Sequence, residues 1–319
     1  MDLSICIVSY NCRDLLAACL DSIEAHRGDM AVEIIVTDNA SSDGTVEMLR
    51  QRSPAVTVIA NEENAGFAAG TNQAMSLATG ETLVMLNPDT QIATGALESL
   101  VGFLRERPEV AAAGPSVVDP DGSLQTTAHS FPTLLRTVVT QVGLHRILPR
   151  YGLLHNGSAS CAATTGPRQV DWLSGVCMAI RRAAWERVGP LDEGFFMYSE
   201  DVDWCYRASL EGYECWYLPE ARIMHHEGAS WGDAPRERIL AAHRAGFRFF
   251  GKNYGHCAEV TQRVLVALGA LARGTAWTIL GPAVEDRDDL VTSFETHFRV
   301  AELAMEMKET HRRSEGRVS

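Results

Sequence analysis

The sequence lacks the glycine-rich and nucleophile motifs that most directly identify an enzyme class. No G-x-G-x-x-G follows the first apolar run, no G-x-x-x-x-G-K-[ST] occurs, and there is no G-x-S-x-G. These absences disfavour a dinucleotide-dependent oxidoreductase, exclude a P-loop protein and remove the nucleophile elbow of the α/β-hydrolases. A function must therefore be sought in other polar residues.

The chain also lacks a basic excess and any C-x-x-C pair. Its 28 Lys and Arg residues stand against 41 Asp and Glu, which gives a net charge of −13. A dedicated nucleic-acid binder would show a basic patch or stripe, so we expect no nucleic-acid partner. The eight cysteines are scattered. That pattern is typical of small core residues in a reducing cytosol, not of a disulfide framework or a zinc site.

No hydrophobic run is long and clean enough for a spanning helix. The start, Met1-Asp2, lacks the positive charge of a signal peptide. Residues 264–284 are strongly apolar, but Arg273 and three glycines interrupt them. This stretch either packs on the protein or rests on a membrane as an interfacial helix, and the sequence leaves both open. We expect a cytoplasmic location, with peripheral contact at the inner face of the cell membrane as the open alternative.

What the chain does contain is a regular alternation of strand and helix patterns. Apolar runs rich in isoleucine and valine predict strands at 3–10, 33–37, 56–60, 82–86 and 110–113, with helices between them. Such alternation implies right-handed crossovers and a mostly parallel sheet covered on both faces. Residues 151–166, rich in Gly, Ser, Ala and Thr, are expected to form a mobile loop. A strand pair or one bent strand around Gly175 is expected at 171–180, and further strands at 215–218 and 222–225. Helices are expected at 236–253, 258–280 and 288–310, before a disordered tail.

Polar residues collect at the predicted carboxyl ends of the strands. They are Ser9, Tyr10, Asn11, Asp38, Asn39, Asn87 and Asp89. Ligands of parallel sheets bind at that edge, so a shared placement there predicts a ligand site. Asp89, held by Pro88, is placed to bind a hard divalent cation together with diphosphate oxygens. The alternatives are ordinary turns, and for Asn11 a helix cap that is completed by Asp14.

An acidic cluster follows an aromatic run at 195–207. Glu200, Asp201 and Asp203 come directly after Phe195-Phe196-Met197-Tyr198. Burial among large apolar side chains raises a carboxyl pKa, which suits a catalytic base or a cation ligand. The alternative is a helix with an acidic first turn, and Asp203 lies four residues before Arg207, the spacing of a structural pair.

Together these motifs resemble the inverting glycosyltransferases of family 2, and most closely their rhamnosyltransferase-like branch. The matching stretches are IVSYN, TDNASSDGT, NAGFAAGTN, LNPDT, DPDGSLQ, DWLSGVCMAIRR, VGPLDEGFFMYSEDVDWCYRASLEGY and HHEGAS. The resemblance implies a GT-A fold, which is α/β and Rossmann-like, with a mostly parallel central sheet and a C-terminal helical extension. It implies a GT-A domain at 1–255, with a nucleotide-sugar half before residue 116 and an acceptor half after it. The extension would be 256–319.

The resemblance also implies roles for individual residues. Donor-binding residues would be Ser9, Tyr10, Asn11, Asp38, Asn39, Asn64, Gly66, Asn72, Asn87 and Asp89. Asp201 would be the catalytic base and Glu200 its helper. Asp89 and His225 (or its neighbour His226) would bind magnesium or manganese. From their position before and within the acidic motif, Trp172, Gly175 and Tyr198 are expected to contact the acceptor, with a core role as the alternative for Trp172. Asn87 departs from the family by replacing the first Asp of the metal motif, so metal affinity is expected to depend on the donor diphosphate. His129 departs where relatives often have Arg.

The resulting prediction is a metal-dependent inverting glycosyltransferase of polysaccharide or cell-wall biosynthesis. It would move a sugar, such as L-rhamnose from dTDP-rhamnose, to a polysaccharide or lipid-linked glycan, and the chain is compatible with a homodimer. One alternative is a sugar nucleotidyltransferase, which would carry a glycine-rich basic loop where this chain has SYNCRD. The other is a non-catalytic nucleotide-sugar-binding protein, disfavoured because Asp89, Asp201 and His225 occur together.

Overall fold

The computed structural model describes residues 1–52, 55–141, 166–226, 235–280 and 287–306. Two compact units divide the chain, one of Met1–Pro132 with Leu148–Pro235 and one of Thr133–Ile147 with Arg236–Ser319. The boundary predicted at residue 255 stays a prediction, and in this division residues 236–255 belong to the second unit. A mobile loop expected at 151–166 and the tail expected to be disordered fall outside the described residues, except for Gly166.

The first unit is built on a ten-stranded, mostly parallel sheet. Its strands are β1 (Leu3–Ser9), β2 (Val32–Asp38), β3 (Val56–Ala60), β4 (Thr82–Leu86), β5 (Thr90–Ile92), β6 (Val110–Val118), β7 (Leu124–Gln125), β9 (Arg168–Val170), β11 (Cys177–Arg181) and β12 (Glu214–His225). The order is β3-β2-β1-β4-β11-β6-β12-β5, with β7 on β6 and β9 on β12. β8 (Ala128–His129) and β10 (Trp172–Leu173) form a separate two-stranded sheet. The first four strands of this order are parallel, so their carboxyl ends share one edge.

Helices cover both faces of this sheet, as the alternation predicts. They are α1 (Arg13–His26), α2 (Thr45–Gln51), α3 (Phe67–Leu77), α4 (Ala96–Glu106), α6 (Arg182–Val188) and α7 (Glu200–Leu210). Successive side chains of a strand point to opposite faces. In β1, Ile5 and Ile7 therefore join one core cluster with α1 and α4, while Cys6 joins the other with α3 and α7. The predicted α/β sheet fold is confirmed.

Three local predictions are corrected. The strands expected at 215–218 and 222–225 are one strand, β12, because β6 pairs with it on both sides of an irregularity between Leu218 and Arg222. The strand pattern at 171–180 is split between β10 and β11, which belong to different sheets. The helix cap expected at Asn11 is wrong: Cys12 is the N-cap residue, and Asn11 Oδ1 instead accepts a hydrogen bond from the Ser42 N–H at 2.8 Å.

The second unit is helical, with α5 (Leu134–Gln141), α8 (Pro235–Tyr254), α9 (His256–Leu280) and α10 (Arg287–Met305). A small core of Phe247, Val266, Ala270 and Val300 holds three of them together. Arg273, which interrupts the apolar stretch, donates to both the backbone and the side-chain oxygen of Gln141 on α5. Within the described residues, no helix has the length and apolar character needed to cross a membrane. Membrane contact through 264–284 and a homodimer stay predictions.

Candidate active site

A cleft of about 190 Å³ opens beyond the carboxyl ends of β1, β2 and β4. Its lining residues are Val8, Ser9, Tyr10, Asn39, Asn64, Gly66, Phe67, Asn87, Pro88, Phe196 and Met197. Six of the predicted donor-binding residues are therefore brought together. Phe196 and Met197 come from the aromatic run before the acidic cluster. The polar residues at the strand ends and this aromatic run therefore line the same cleft.

Gly66 allows the start of α3 to approach the backbone of the aromatic run closely. Gly66 has a φ of +89°, and a Cβ on it would lie 2.6 Å from the backbone oxygen of Phe196. The N–H of Phe67 donates to that same oxygen at 2.7 Å. Asn39, which is 2% exposed, supports the turn because its Nδ2 donates to the oxygen of Gly66. The start of α3 and the aromatic run are thus joined backbone to backbone along one side of the cleft.

The other four predicted donor residues, Asp38, Asn11, Asn72 and Asp89, do not line the cleft. Asp38 is fully buried, and its two carboxylate oxygens accept from the N–H and the hydroxyl of Ser41. Asn11 borders a separate shallow pocket beside Asp43. Asn72 bonds with both ends of its carboxamide to the backbone of Leu191, and so holds the segment that leads into the aromatic run. In the structure the side chains of Asp38, Asn11 and Asn72 shape loops, and their contact with a donor stays a prediction.

Asp89 and His225 form an unusual buried pair next to this edge of the sheet. Asp89 is 2% exposed, and neither of its carboxylate oxygens has a hydrogen-bond partner. His225 Nε2 lies 3.2 Å from Asp89 Oδ1. The adjacent His226 donates its backbone N–H to the carbonyl oxygen of Asp89. The Nε2 of His226 is also buried without a hydrogen-bond partner.

These groups fit a divalent cation. A buried carboxylate without partners is costly, and it would be satisfied by a cation that also takes the nearby imidazole nitrogen. Within the residues that the structure describes, no group of three or more His, Cys, Asp or Glu side chains could hold a metal. Among the described residues, Asp89 and His225 are the two side chains that lie together here, which leaves the remaining positions of a metal to a ligand such as a diphosphate.

Asp201 lies in the first turn of α7 and is tied to the cleft by backbone contacts. Its Oδ2 accepts from the N–H of Gly175 and its Oδ1 from the N–H of Val202, both at 2.8 Å. The next carbonyl, that of Val176, accepts from the N–H of Asn87 in the cleft wall. Burial raises the pKa of the Asp201 carboxyl, and the amide hydrogen bonds oppose that rise. Taken as a whole residue, Asp201 is only partly buried.

The two neighbouring carboxylates have different surroundings. Glu200 is 4% exposed, and its Oε2 has no hydrogen-bond partner. Burial, and then the negative charge of Asp201, raises the pKa of Glu200 well above its usual range. Asp203 is fully buried and accepts from Arg207 Nε at 2.9 Å. Arg207 also donates to the carbonyl oxygens of Val188 and Pro190, which fits the structural role expected for Asp203.

The predicted acceptor residues lie around the same region of the first unit. Gly175 is buried and borders both Asp201 and Phe67. Trp172 stacks on His129 with ring centroids 4.2 Å apart, and its Nε1 donates to the oxygen of Ser130. One face of Trp172 is thus already occupied. Tyr198 has a φ of +71° directly before α7. Contact of these residues with an acceptor stays a prediction.

The profile of "Glycosyl transferase family 2" matches residues 4–187. An N-acetylglucosaminyl-diphospho-decaprenol L-rhamnosyltransferase of Mycobacterium tuberculosis is 31% identical over 237 residues, which are 70% of this chain and 76% of that protein. The rhamnosyltransferase WbbL of Escherichia coli is 25% identical over 232 residues, with 70% and 82% covered. A Pyrobaculum calidifontis mannosyltransferase solved with GDP-Man and Mn²⁺ aligns with a TM-score of 0.54 at 19% identity, covering 95% of this chain and 85% of that one.

The family match covers more than half of the chain, although it ends before Asp201 and His225. The relative at 31% identity extends over 237 residues, and the solved structure shares the sheet architecture. Fold, sequence and the polar cleft at the strand ends agree. The chain belongs to glycosyl transferase family 2, and it is a rhamnosyltransferase-like glycosyltransferase with the GT-A fold.

Proposed function

We propose that the protein is a metal-dependent, inverting L-rhamnosyltransferase that uses dTDP-rhamnose and a polysaccharide or lipid-linked glycan acceptor. Two relatives named as rhamnosyltransferases support the sugar, and one of them is named for a decaprenol-linked acceptor. A solved structure with the same fold contains Mn²⁺, which supports the metal.

The observation that carries the proposal is that two separate groups of polar residues, one at Asp89 and one at Asp201, lie around the cleft. The unsatisfied carboxylate of Asp89 and the ring nitrogen of His225 lie together beside one side of it. Asp201 lies beyond the Asn87–Val176 hydrogen bond, held by the amide of Gly175. A sugar transfer needs charge compensation at the leaving group and a base at the attacking hydroxyl, and these two places supply the two requirements separately.

Asp201 is the residue to accept the proton from the acceptor hydroxyl. Its raised pKa makes it a stronger base than an exposed aspartate, while two amide donors hold its oxygens in a fixed orientation. Glu200 lacks such a donor at its Oε2, and burial beside Asp201 raises the pKa of Glu200 well above its usual range. One base and one direct displacement invert the anomeric centre, and an activated donor needs no second carboxyl group to protonate the leaving group.

Asp89 and His225 are the residues that would hold the divalent cation. A cation bound there would offset the negative charge that develops on the departing diphosphate. Asn87 lines the cleft next to this pair and contributes no charge. The site therefore has one formal negative charge, which suits a metal that arrives with, and is shared by, the donor diphosphate.

The substitution Asp201→Asn tests the proposed base. We expect transfer from dTDP-rhamnose to a synthetic lipid-linked GlcNAc diphosphate to fall by roughly 10²–10⁴-fold in kcat. Binding of dTDP-rhamnose with Mn²⁺, followed by thermal shift, should stay at the wild-type level because the amide still accepts from Gly175. Glu211→Gln, at the exposed end of the same helix, is the matched control.

Two outcomes would contradict different parts of the proposal. Transfer by Asp201→Asn near the wild-type rate would remove Asp201 as the base. A melting temperature raised by GDP-mannose or UDP-GlcNAc, but not by dTDP-rhamnose, would show that the assigned donor is wrong. The second result would leave the assignment as a glycosyltransferase intact.

A further inference from the structure

Gln125 connects the metal-binding residue His225 to a carboxylate on the far side of a hairpin. Gln125 Nε2 donates to Asp119 Oδ1 at 2.6 Å and to the backbone oxygen of His225 at 3.1 Å. Both neighbours of this nitrogen are acceptors. A flipped carboxamide would place its oxygen against a carboxylate and a carbonyl, so the two contacts define which end is the oxygen.

The orientation of Gln125 determines where the proton lies on His225. Gln125 Oε1 is 2.7 Å from His225 Nδ1, and an amide oxygen can only accept. Nδ1 must therefore carry the hydrogen. In the neutral ring, Nε2 is then the nitrogen with the free lone pair. That nitrogen faces Asp89 Oδ1 at 3.2 Å, and Asp89 has no hydrogen-bond partner, so two electron-pair donors point at one place.

We propose that Gln125 is a positioning residue that holds His225 in the Nδ1–H tautomer, so that Nε2 is free to bind the divalent cation together with Asp89. This inference rests on the metal role proposed above. Histidines that ligate metals commonly donate their other ring N–H to an oxygen, which orients the ring and raises its basicity. Here that oxygen belongs to a neutral carboxamide whose own orientation is anchored by Asp119.

The hairpin between β6 and β7 explains how a residue a hundred positions before His225 reaches it. Gln125 pairs with Val117 across the hairpin, and its turn is closed by a hydrogen bond from Gly122 N to Asp119 O. Asp119 Oδ2 also accepts from the hydroxyl of Ser123. Asp119 thus binds the hairpin with one oxygen and Gln125 with the other. The motif DPDGSLQ therefore builds a rigid support for the metal-binding histidine.

Three variants test how much Gln125 and Asp119 contribute to metal binding through His225. Gln125→Met keeps the length of the side chain and removes its hydrogen bonds to Asp119 and His225. Asp119→Asn leaves an oxygen for Gln125 but removes the charge that strengthens the bond. Gln169→Met makes the same chemical change on an exposed residue of β9 that has no part in the contacts between Asp119, Gln125 and His225. Mn²⁺ affinity is measured by electron paramagnetic resonance with dTDP present. We expect it to fall by roughly 10–100-fold in Gln125→Met, by a smaller factor in Asp119→Asn, and not at all in Gln169→Met.

The tautomer is measured directly on the full-length, metal-free protein. With ¹⁵N-histidine labelling, His225 is assigned among the ten histidines by the signal lost in His225→Gln. At a pH where the ring is neutral, wild-type His225 should show a protonated Nδ1 and a non-protonated Nε2. Gln125→Met should lose this single tautomer. A role for Gln125 in folding alone would not change the ring nitrogens, and circular dichroism checks the fold of each variant.

Each outcome decides the inference. A wild-type His225 protonated at Nε2 overturns it, even if every Gln125 variant fails to fold. Unchanged Mn²⁺ affinity and an unchanged tautomer in a folded Gln125→Met also overturn it. If the wild-type protein binds no Mn²⁺ but shows the expected tautomer, the metal proposal fails, while the control of the His225 proton by Gln125 stands.

Discussion

Replacing Asp89 by asparagine should move stability and metal binding in opposite directions. Both oxygens of the buried carboxylate lack a hydrogen-bond partner. An unsatisfied buried polar group destabilises a fold by about 1–3 kcal/mol, and more when it is charged. Asparagine has the same shape and no charge, and its Nδ2 can donate to His225 Nε2, 3.2 Å from Asp89 Oδ1. We therefore expect Asp89→Asn to be more stable than wild type by about 1–3 kcal/mol when no metal is present.

Thermal unfolding in EDTA measures this gain, which corresponds to roughly 2–4 °C for each kcal/mol in a body of this size. With Mn²⁺ and dTDP, the wild type should gain stability by mass action, and the variant should lose most of that gain. Asp203→Asn is the matched control, since Asp203 is equally buried but bonded to Arg207. It should lower the melting temperature. If Asp89→Asn lowers it in EDTA as well, the argument from unpaired oxygens is wrong.

Three further predictions concern the packing around the site. Arg207→Met should lower the free energy of unfolding by about 3 kcal/mol or more, because it removes the charged partner of a fully buried aspartate. Arg187→Met, where the arginine side chain is 70% exposed, should change it by less than about 1 kcal/mol in urea unfolding, and equal losses would contradict this. The Glu200 carboxyl has a raised folded-state pKa, so its ionised form destabilises above the ordinary value of 4.5. Above that pH, the free energy of unfolding of Glu200→Gln should therefore rise relative to that of the wild type by up to about 1.4 kcal/mol per pH unit. Urea unfolding at several pH values measures this, and parallel profiles of stability against pH for the two proteins would refute it. Gly66→Ala should weaken dTDP-rhamnose binding in calorimetry, since its Cβ meets a backbone oxygen, whereas Gly122→Ala, with a similar φ and open space, should not.

Two parallel strands of the sheet, β3 at its edge and β4 inside it, follow from local sequence. The pattern predicts Val56–Ala60 and Thr82–Leu86 at their observed ends, because continuous apolar runs bounded by polar turns are typical of buried parallel strands. The strands β5, β7, β8 and β9 contain two or three residues each and carry no periodicity. They exist because a partner strand lies beside them, and that information is spread over the whole chain.

The candidate site likewise contains residues that local sequence predicts and residues that only the tertiary structure brings into place. Ser9, Asn39 and Asn87 come together in the cleft because their position at strand ends is a local property and the edge of a parallel sheet is shared. The carboxylate of Asp38 also lies at a strand end, but Ser41 supplies two donors to it. Gln125 was not expected as a site residue. Its sequence signals are the family-like stretch DPDGSLQ and the turn within it, which indicate a hairpin but not the strand against which the hairpin lies.

The acidic cluster shows most clearly why residue type alone does not determine chemistry. Glu200, Asp201 and Asp203 share the first turn of one helix, and a helix N-terminus favours all three charges similarly. Their partners differ: no hydrogen bond to Oε2 of Glu200, two backbone amides for Asp201 and an arginine for Asp203. Only the amides leave a carboxylate that is oriented, basic and not neutralised by a counter-charge. A base at this place therefore depends on Gly175, whose N–H directs Asp201, as much as on the aspartate itself.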